Sequence, residues 1–381
     1  MDDNVRMVFA ASVFPSPLLF NQLGIEISLH NDAESLTTDS REDRRDQPVR
    51  PIGIAQAVDY RKLMGHQTTI LLVGYDSEKW LDKCLSSLAS ASHQKLQLCF
   101  VDNKNNPTLK TLDLSPFSVE ILKTPKPLGF ADANNFGIQQ THFKSDYTVF
   151  LNQDTVSTDG WIDRCVKCFE DDSQLGILSP GLRTYDLSEW EPNLLACVKE
   201  SGTSIELQNE SAIELHNVTA AAMVIRTEVL HKVGPFDPIF GSYYEDYDLC
   251  RRVRNAGCKV AVCPAAQVGH FSGSVTSTPA AEKRRTRAIA RNRLIHHVRE
   301  HSGDRLSVLA KHLFYALPLN LIRGLLRTSS SQPISATLGA QWDLVKIAGR
   351  LVSERRDHEQ WKHFLSEFRA HTTSLAGVPG K

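Results

Sequence analysis

The chain of 381 residues can hold one large domain or two ordinary ones, and a hydrophobic content of 41% is enough for a buried core. Lysine and arginine total 43 against 44 aspartate and glutamate residues, and the net charge of -1 excludes a global electrostatic attraction to nucleic acid or membrane. We therefore expect no nucleic-acid partner, and any charged ligand must bind at a local site.

The eight cysteines are too sparse for a secreted disulfide framework, and most lie in apolar patterns. Cys165 and Cys168 have CxxC spacing without a second CxxC, which favours reduced thiols over a zinc site. The early run VFAASVFPSPLLF follows acidic residues and contains two prolines, which is untypical of a signal peptide. Because no run reaches about 18 uninterrupted apolar residues, we predict a cytoplasmic protein without a spanning helix.

Composition divides the chain into three parts. Residues 31–50 are rich in charge, as in a solvated linker, and we assign residues 1–66 to an N-terminal extension. Residues 67–300 carry the alternating strand and helix patterns of a catalytic domain. Residues 301–381 are predicted to form a C-terminal helical region.

Strand and helix patterns alternate from residue 68 onwards. TTILLVGY predicts a buried strand, and SEKWLDKCLSSL places five apolar residues on one helical face. LQLCFVDN and VEILK predict strands, GFADANNFGIQQ a helix, and YTVFLNQD another strand. This alternation predicts an α/β fold with a parallel-rich sheet between helices, in which ligands bind beyond the carboxyl ends of the strands.

The second half continues the pattern. WIDRCVKCFE predicts a helix, GILSP and VTAAAMVIR buried strands, and TEVLHKVG a short helix that ends at Gly234. The next helix starts near Asp246 and ends near Gly257, before the strand KVAVCP. A basic helix is predicted over residues 283–301. The polar stretch 183–215 has no assigned element.

Polar residues stand at the ends of the predicted strands, at Tyr75, Asp102, Asn103, Asn152 and Asp154. Asp102 can accept hydrogen bonds from a base or ribose, or form the turn in DNKNNP. Asp154 can hold Mg²⁺ or Mn²⁺ together with water and phosphate oxygens, or cap a helix.

Two further features could serve a phosphate and metal site. A lone histidine such as His270 is more often structural, but beside Asp154 at one sheet edge it becomes a candidate metal ligand. The basic run 284–293 either faces solvent or neutralises a diphosphate, for which the fixed donors of arginine are suited.

An acidic cluster follows two tyrosines in FGSYYEDYDLC. Glu245, Asp246 and Asp248 raise one another's pKa unless a cation or a reacting proton is near. A carboxylate of raised pKa suits a general base, which is our interpretation of Asp246. The alternative is a solvent-facing acidic helix start, which suits Asp248 better than Asp246.

Taken in order, ILLVGYDSEKW, FVDN, LGFADANNFGI, FLNQDT, EDYDLC, GHFSGS and RNRL resemble the family 2 glycosyltransferases of the GT-A fold, and more narrowly their bacterial rhamnosyltransferase-like branch. The resemblance covers roughly residues 67–298. It implies a Rossmann-like nucleotide-sugar-binding sheet, a base at Asp246 with Glu245 as its catalytic neighbour, and metal ligands at Asp154 and His270. The implied donor-binding residues are Tyr75, Asp102, Asn103, Gly129, Asn134, Asn135, Asn152, Arg291 and Arg293.

This resemblance predicts an inverting, metal-dependent transfer of a sugar, with rhamnose as one candidate, in bacterial surface polysaccharide and cell-wall synthesis. The donor would be a dTDP- or UDP-sugar, the cofactor Mg²⁺ or Mn²⁺, and the acceptor a glycan or lipid-linked glycan. The stretch 183–215 would build part of the sugar pocket. Asn and Gln in NQD depart from the Asp-x-Asp metal motif of the family, which leaves Asp154 as its firm metal residue.

Two other functions stay open. A sugar-phosphate nucleotidyltransferase should carry a glycine-rich basic loop where this chain has GYDSEKW. A glycosyltransferase-like binding protein with weak or no catalysis is favoured by the altered NQD and the N-terminal extension.

The apolar segment 306–326 allows two interpretations of the C-terminal region. It either makes a peripheral contact with the inner face of the cytoplasmic membrane, or packs on the catalytic domain or in a homo-oligomer.

Overall fold

The computed structural model describes residues 66–104, 112–272 and 278–300, together with 305–312, 314, 338–344, 346 and 366. Contacts divide the chain into two units, Met1–Val58 and Asp59–Lys381, and every described residue belongs to the second. The predicted N-terminal extension and most of the predicted C-terminal region lie outside the described residues, so these domain boundaries stay predictions.

A mixed sheet forms the centre of the described fold. Its parallel part consists of β1 (Thr68–Gly74), β2 (Gln97–Asp102), β3 (Ser118–Lys123) and β4 (Tyr147–Asn152), in the spatial order β3, β2, β1, β4. The remaining strands are β5 (Thr155–Ser157), β6 (Leu175–Thr184), β7 (Ile213–Glu214), β8 (Ala222–Arg226) and β9 (Lys259–His270). β8 runs antiparallel to β4 and β6, β9 parallel to β6, and β5 and β7 antiparallel to β9.

The named helices are α1 (Leu81–Leu88), α2 (Phe130–Gln140), α3 (Trp161–Asp171), α4 (Pro192–Glu200), α5 (Thr227–Val233), α6 (Glu245–Asn255), α7 (Pro279–Glu300) and α8 (Arg305–Lys311). β1 and β4 are almost entirely buried, which explains why their sequences are continuous apolar runs rather than alternating ones. α1 buries Leu81, Cys84, Leu85 and Leu88, as its apolar spacing predicts.

The predicted α/β class, with a central sheet flanked by helices, is confirmed. The parallel arrangement holds for β1 to β4, whereas β5, β7 and β8 are antiparallel to their neighbours. The sequence patterns did not identify β5, β7 or α4. The two strands are only three and two residues long, which is too short for periodicity to reveal. α4 lies in the polar stretch 183–215, to which no element was assigned.

The described part of the C-terminal region packs against α7. Val308 and Leu344 join an apolar cluster with Phe240 and with the buried face of α7, namely Leu294, Ile295 and Val298. Arg287 of α7 also binds Asp343 through Nε at 2.7 Å and Nη2 at 2.6 Å. These contacts favour the packing interpretation for these residues, while the membrane and oligomer contacts stay predictions.

All eight cysteines are free thiols, and seven of them are buried. Among the described helices, none combines the length and the apolar character needed to cross a bilayer.

Candidate functional site

Four of the predicted donor-binding residues lie at one edge of the sheet, namely Tyr75, Asp102, Asn103 and Asn152. In the parallel register Gly74 of β1 pairs with Asp102 of β2, and Val73 pairs with Asn152 of β4. Tyr75 follows β1 and is 40% exposed. The strand ends therefore meet as the sequence predicts for an α/β sheet, and they form an edge at which a ligand can bind.

Two buried amides hold the backbone of loops at this edge. Gln153 donates from Nε2 to the Tyr75 carbonyl at 2.8 Å, and its Oε1 accepts the Tyr75 N–H at 2.7 Å. Asn103 donates from Nδ2 to the Leu128 carbonyl at 2.9 Å and accepts the Leu128 N–H at 2.8 Å. Asn103 thus positions a loop, and its direct contact with a donor stays a prediction.

Asn134 and Asn135 of α2 also make internal contacts. Asn135 donates to the Phe236 carbonyl at 2.7 Å and accepts the Phe236 N–H at 3.0 Å. Asn134 donates to the Phe130 carbonyl, one turn earlier in the helix, at 2.9 Å. Both asparagines are buried, so their observed role is to hold backbone, and their predicted donor contacts stay untested.

Gly129 packs against the loop that precedes α6. A Cβ atom at this position would lie 3.0 Å from the carbonyl oxygen of Gly241. The same oxygen accepts the N–H of Ala131 at 2.8 Å. A close approach of two backbones explains the glycine at this position, and its role in donor binding stays a prediction.

A chain of three ionisable side chains lies where β5 and β9 pair. Nε2 of His270 lies 3.6 Å from Oδ1 of Asp154, and Nδ1 lies 3.2 Å from Oε1 of Glu191. The three side chains are at most 10% exposed. Burial disfavours the charged imidazolium, but the interactions with Asp154 and Glu191 outweigh it and raise the pKa of His270 to about 9.

Glu191 is a site residue that the sequence patterns did not identify. Its Oε2 accepts the Leu194 N–H at 3.2 Å, so it caps α4 at the same time as it binds His270. The signal in the sequence was an acceptor directly before Pro192, which is a typical helix start. At the other end of α4, Sγ of Cys197 lies 3.3 Å from the hydroxyl of Tyr247 in α6.

Asp154 and His270 would fit a divalent cation that is shared with a phosphate ligand if the cation displaces the proton that the raised pKa keeps on His270, because only a neutral imidazole is a metal ligand. A metal-bound histidine usually has its second ring nitrogen bonded to a carboxylate, as Glu191 provides here. His270 separates the two carboxylates, and among the described residues no group of three or more side chains could hold a metal. Water and phosphate oxygens would therefore complete the coordination.

Two consecutive alanines connect Asp246 to the edge of the sheet where the strand ends meet, which we call the donor edge. Its Oδ2 accepts the Ala220 N–H at 3.1 Å, while the Ala221 carbonyl accepts the Asn152 N–H at 2.9 Å. The carboxylate and the end of β4 thus bind the same dipeptide. The structure brings the predicted base and the predicted donor edge together, although 94 positions separate Asp246 from Asn152 in the chain.

The two acids at the start of α6 are held in an environment that disfavours charge. Burial raises the pKa of Asp246 to about 6, although N–H groups of Ala220 and Tyr247 oppose the shift. Burial and the neighbouring charge of Asp246 raise the pKa of Glu245 well above its usual range. Oε2 of Glu245 is buried and has no hydrogen-bond partner among the described residues, so a neutral carboxyl group is favoured there.

Asp248 is not solvent-facing, and the alternative that we considered for it is wrong. Its side chain is fully buried and binds Arg251 at 2.9 Å, Arg252 at 2.8 Å and Arg299 at 3.1 Å. Burial opposes ionisation, but the three guanidinium groups hold the pKa of Asp248 well below its usual range. Asp248 therefore joins α6 to α7 as an ionised structural residue.

The two predicted arginines of α7 differ in their surroundings. Arg291 donates from Nη1 to the Ile239 carbonyl at 2.8 Å and to Oδ1 of Asn292 at 2.6 Å. Arg293 is exposed. Arg291 thus contacts the loop before α6, and donor binding by either arginine stays a prediction.

Comparison with protein families adds a further finding. The model described as "Glycosyltransferase like family 2" matches residues 66–290. The chain is 32% identical over 157 residues to a pre-mycofactocin glycosyltransferase of Mycobacterium tuberculosis (strain ATCC 25618 / H37Rv), which covers 40% of this chain and 32% of that protein. It is 23% identical over 207 residues to the dTDP-rhamnosyl transferase RfbF of Shigella flexneri, with 53% and 68% covered. The chain thus spans about a third of the length of the mycobacterial relative.

Two solved structures align with this chain at low sequence identity. S. aureus TarS 1-349 aligns at 15% identity with a TM-score of 0.49, over 81% of this chain and 91% of that chain. The mannosyltransferase PcManGT from Pyrobaculum calidifontis, in complex with GDP-Man and Mn²⁺, aligns at 12% identity with a TM-score of 0.48, over 82% and 87%.

Proposed function

Because this chain belongs to the Glycosyltransferase like family 2, whose model matches more than half of it, we propose that it transfers a sugar from a nucleoside diphosphate donor to an acceptor hydroxyl. The transfer inverts the configuration at the anomeric carbon of the sugar. The acceptor oxygen forms a bond to this carbon from one face as the bond to the diphosphate oxygen breaks on the other. The products are the glycosylated acceptor and a nucleoside diphosphate.

The observation that carries this proposal is the link between Asp246 and the end of β4 through Ala220 and Ala221. It supports a base that stands next to a ligand at the strand ends. A sugar hydroxyl is a poor nucleophile, and Asp246 accepts its proton as the new bond forms. With a pKa of about 6, this carboxylate is mostly ionised at neutral pH and still more basic than an ordinary aspartate.

Glu245 assists by staying neutral. A second ionised carboxylate next to Asp246 would raise the pKa of Asp246 further and keep it protonated at neutral pH. Burial of Glu245 without a partner for Oε2 supports the protonated form. Glu245 thus leaves one negative charge at the helix start, where the acceptor proton is taken up.

We assign donor binding to the strand edge and the histidine site. The exposed ring of Tyr75 and the carboxylate of Asp102 suit a nucleobase and ribose. Asn152 ends the neighbouring strand, two residues before Asp154. Asp154 and His270 would hold Mg²⁺ or Mn²⁺, and Glu191 keeps the His270 ring in place. When bound, the cation supplies positive charge for the diphosphate leaving group.

The specific donor and acceptor are part of the proposal. A dTDP- or UDP-sugar is the donor to test, with dTDP-rhamnose first, because one relative is named a dTDP-rhamnosyl transferase. A glycan or lipid-linked glycan is the acceptor, in surface polysaccharide and cell-wall synthesis. Contact with the inner face of the cytoplasmic membrane is the matching expectation for a lipid-linked acceptor.

The purified chain tests the function with a panel of dTDP- and UDP-sugars, each with Mn²⁺, with Mg²⁺ and with EDTA. We expect acceptor-dependent release of nucleoside diphosphate from one donor, with a glycosylated product seen by mass spectrometry. Formation of a nucleotide sugar and pyrophosphate from a sugar phosphate would instead identify a nucleotidyltransferase. Donor binding without turnover, over a panel of glycan and lipid-linked acceptors, would identify a binding protein.

The metal site has its own test. Asp154→Ala should weaken the binding of Mn²⁺ and of the nucleoside diphosphate together, since a cation between them couples the two affinities. His270→Ala should weaken both more mildly. Titration calorimetry measures the two affinities for each variant. A donor affinity that is unchanged in Asp154→Ala and insensitive to EDTA would contradict the metal assignment and favour a site that uses arginines.

A further inference from the structure

The loop of residues 239–244, which we call the base loop, leads into α6 and its acid Asp246. Nδ2 of Asn292 in α7 lies within hydrogen-bond distance of three of its carbonyl oxygens, at 2.8 Å for Phe240, 2.9 Å for Ser242 and 2.8 Å for Tyr243. An amide has two hydrogens, so at least one of them is shared between two carbonyls. One side chain therefore satisfies half of the carbonyl groups of this loop.

Asn292 is itself fixed. It is fully buried, and its Oδ1 accepts a hydrogen bond from Nη1 of Arg291 at 2.6 Å. The same Nη1 donates to the Ile239 carbonyl at 2.8 Å. Rotation of the amide would remove all three of these hydrogen bonds from carbonyl oxygens that are buried or partly buried, which is unfavourable in a protein interior.

The base loop needs this support because its conformation is strained. Tyr243 and Tyr244 have φ of 73° and 72°, in the left-handed region that favours glycine. Bulky side chains at these two positions raise the energy of the loop, so surrounding contacts must hold it. On the side away from α7, the N–H of Ala131 donates to Gly241 and that of Phe130 to the hydroxyl of Ser242.

The backbone at Tyr244 also sets the first turn of α6. Tyr244 is the N-cap residue, and its carbonyl accepts the Asp248 N–H at 3.0 Å. Asp246 lies two residues after this cap. A change in the dihedral angles of Tyr243 or Tyr244 would therefore turn the start of the helix and move the carboxylate relative to Ala220.

We propose that Asn292 is a positioning residue for the transfer reaction: its carboxamide holds the base loop in its strained conformation and so sets the place of the Asp246 carboxylate. This inference rests on the proposed role of Asp246 as the base. The hydrogen bonds of the Asn292 side chain to the described residues go to backbone carbonyls and to Arg291, so we assign it a role that acts through Asp246 rather than on a substrate.

The test compares Asn292→Ala and Asn292→Ser with Val298→Ala. The serine variant retains one donor and carries the test if the alanine variant does not fold. Val298 is a matched control, because it is fully buried on the same helix and belongs to the apolar cluster that includes Phe240 of the base loop. Its truncation removes apolar support from the loop and leaves the hydrogen bonds of Asn292 in place. For each purified variant we would measure the thermal midpoint, the Kd of the nucleoside diphosphate, and kcat and KM well below the midpoint.

We expect kcat of Asn292→Ala to fall by about 10²-fold, the loss that follows from a displacement of about 1 Å in a catalytic group, with the nucleotide Kd within about threefold of wild type. Asn292→Ser should lie between wild type and Asn292→Ala. Val298→Ala should keep kcat within about threefold although its midpoint falls. In an Asp246→Asn background, Asn292→Ala should reduce kcat no further, because the group that it positions is absent.

A kcat of Asn292→Ala within threefold of wild type would overturn the inference. So would a loss in Val298→Ala as large as that in Asn292→Ala, or two losses that multiply in the double variant. The proposed function fails separately, if wild type shows no transfer or if Asp246→Asn keeps near-normal turnover.

Discussion

The two faces of the first turn of α6 place carboxylates in opposite surroundings. On one face Asp248 is fully buried and binds three guanidinium groups, and its pKa is held well below the usual range. On the other face Asp246 accepts hydrogen bonds from two backbone N–H groups and, in the part of the chain that the structure describes, from no cation. Its pKa is raised to about 6.

This difference indicates a structural role for Asp248 and supports the proposed role of Asp246 as a base. A carboxylate that is fully compensated by arginines is a poor base and a strong structural link, since removing it leaves buried cations unpaired. A carboxylate that is desolvated without a cation is more basic, and its charge costs stability. The same helix start thus separates a structural acid from a reactive one within two residues.

The largest expected effect is on the reactive face. Asp246→Asn should lower the rate of transfer by about 10²- to 10⁴-fold, the range typical of a lost general base, while the donor Kd changes no more than a few-fold. Turnover kinetics and calorimetry with the donor measure the two quantities. Near-normal turnover of Asp246→Asn would show that Asp246 is not the base, and the contrast with Asp248 would then have no functional meaning.

The matching substitution on the structural face is Asp248→Asn. It should lower the free energy of unfolding by about 3–5 kcal/mol, because Arg251 and Arg252 lose the carboxylate that they bind and Arg299 keeps only Asp237. Chemical denaturation of wild type and variant measures this loss. The fraction of the variant that remains folded should show the same dependence of activity on pH as wild type. A variant as stable as wild type would show that Asp248 is not the structural acid that we infer.

The pH dependence of the wild type gives a third comparison. Asp246 is a base only when ionised, so kcat/KM should fall as the pH drops through the pKa of about 6, by about tenfold for each further pH unit. Asp248 contributes nothing in this range, since it stays ionised. Initial rates between pH 5 and 8 test the profile, with a pH-jump control for reversible inactivation. A flat profile down to pH 5 would contradict a base of raised pKa.

The smallest effect is the stability of Asp246→Asn. The pKa of Asp246 is higher in the folded protein than in the unfolded chain, so ionisation favours the unfolded chain as the pH rises from about 4 to above 6. An uncharged asparagine removes this penalty, which is about 3 kcal/mol for a pKa raised from its usual value to about 6. It also loses the charge of the acceptor for two backbone N–H groups, so we expect a net gain of about 1 kcal/mol at pH 7 and none at pH 4. Thermal unfolding at both values measures the gain. A variant that is less stable at pH 7 would contradict an uncompensated charge at Asp246.

Local sequence patterns predicted most of the longer elements and the ends of the parallel strands, but not β5, β7 or α4. Apolar runs, apolar spacing on helices and a polar residue after each strand are properties of short segments, which is why the α/β class and the meeting of Tyr75, Asp102 and Asn152 at one edge follow from the sequence. The acidic start of α6 was evident in the same way. The sequence attributes the raised pKa of Asp246 to repulsion among three acids, whereas in the structure burial raises it and arginines lower the pKa of Asp248.

What the tertiary structure decided is the partner of each polar group. The sequence cannot tell an amide that binds a ligand from one that holds a loop, and Asn103, Asn135, Gln153 and Asn292 all hold backbone. Arg299 lies 51 positions from Asp248 in the chain, and Glu191 lies 79 from His270. Such contacts depend on how distant elements pack, because the energy of a buried polar group comes from whatever the fold brings within about 3 Å of it.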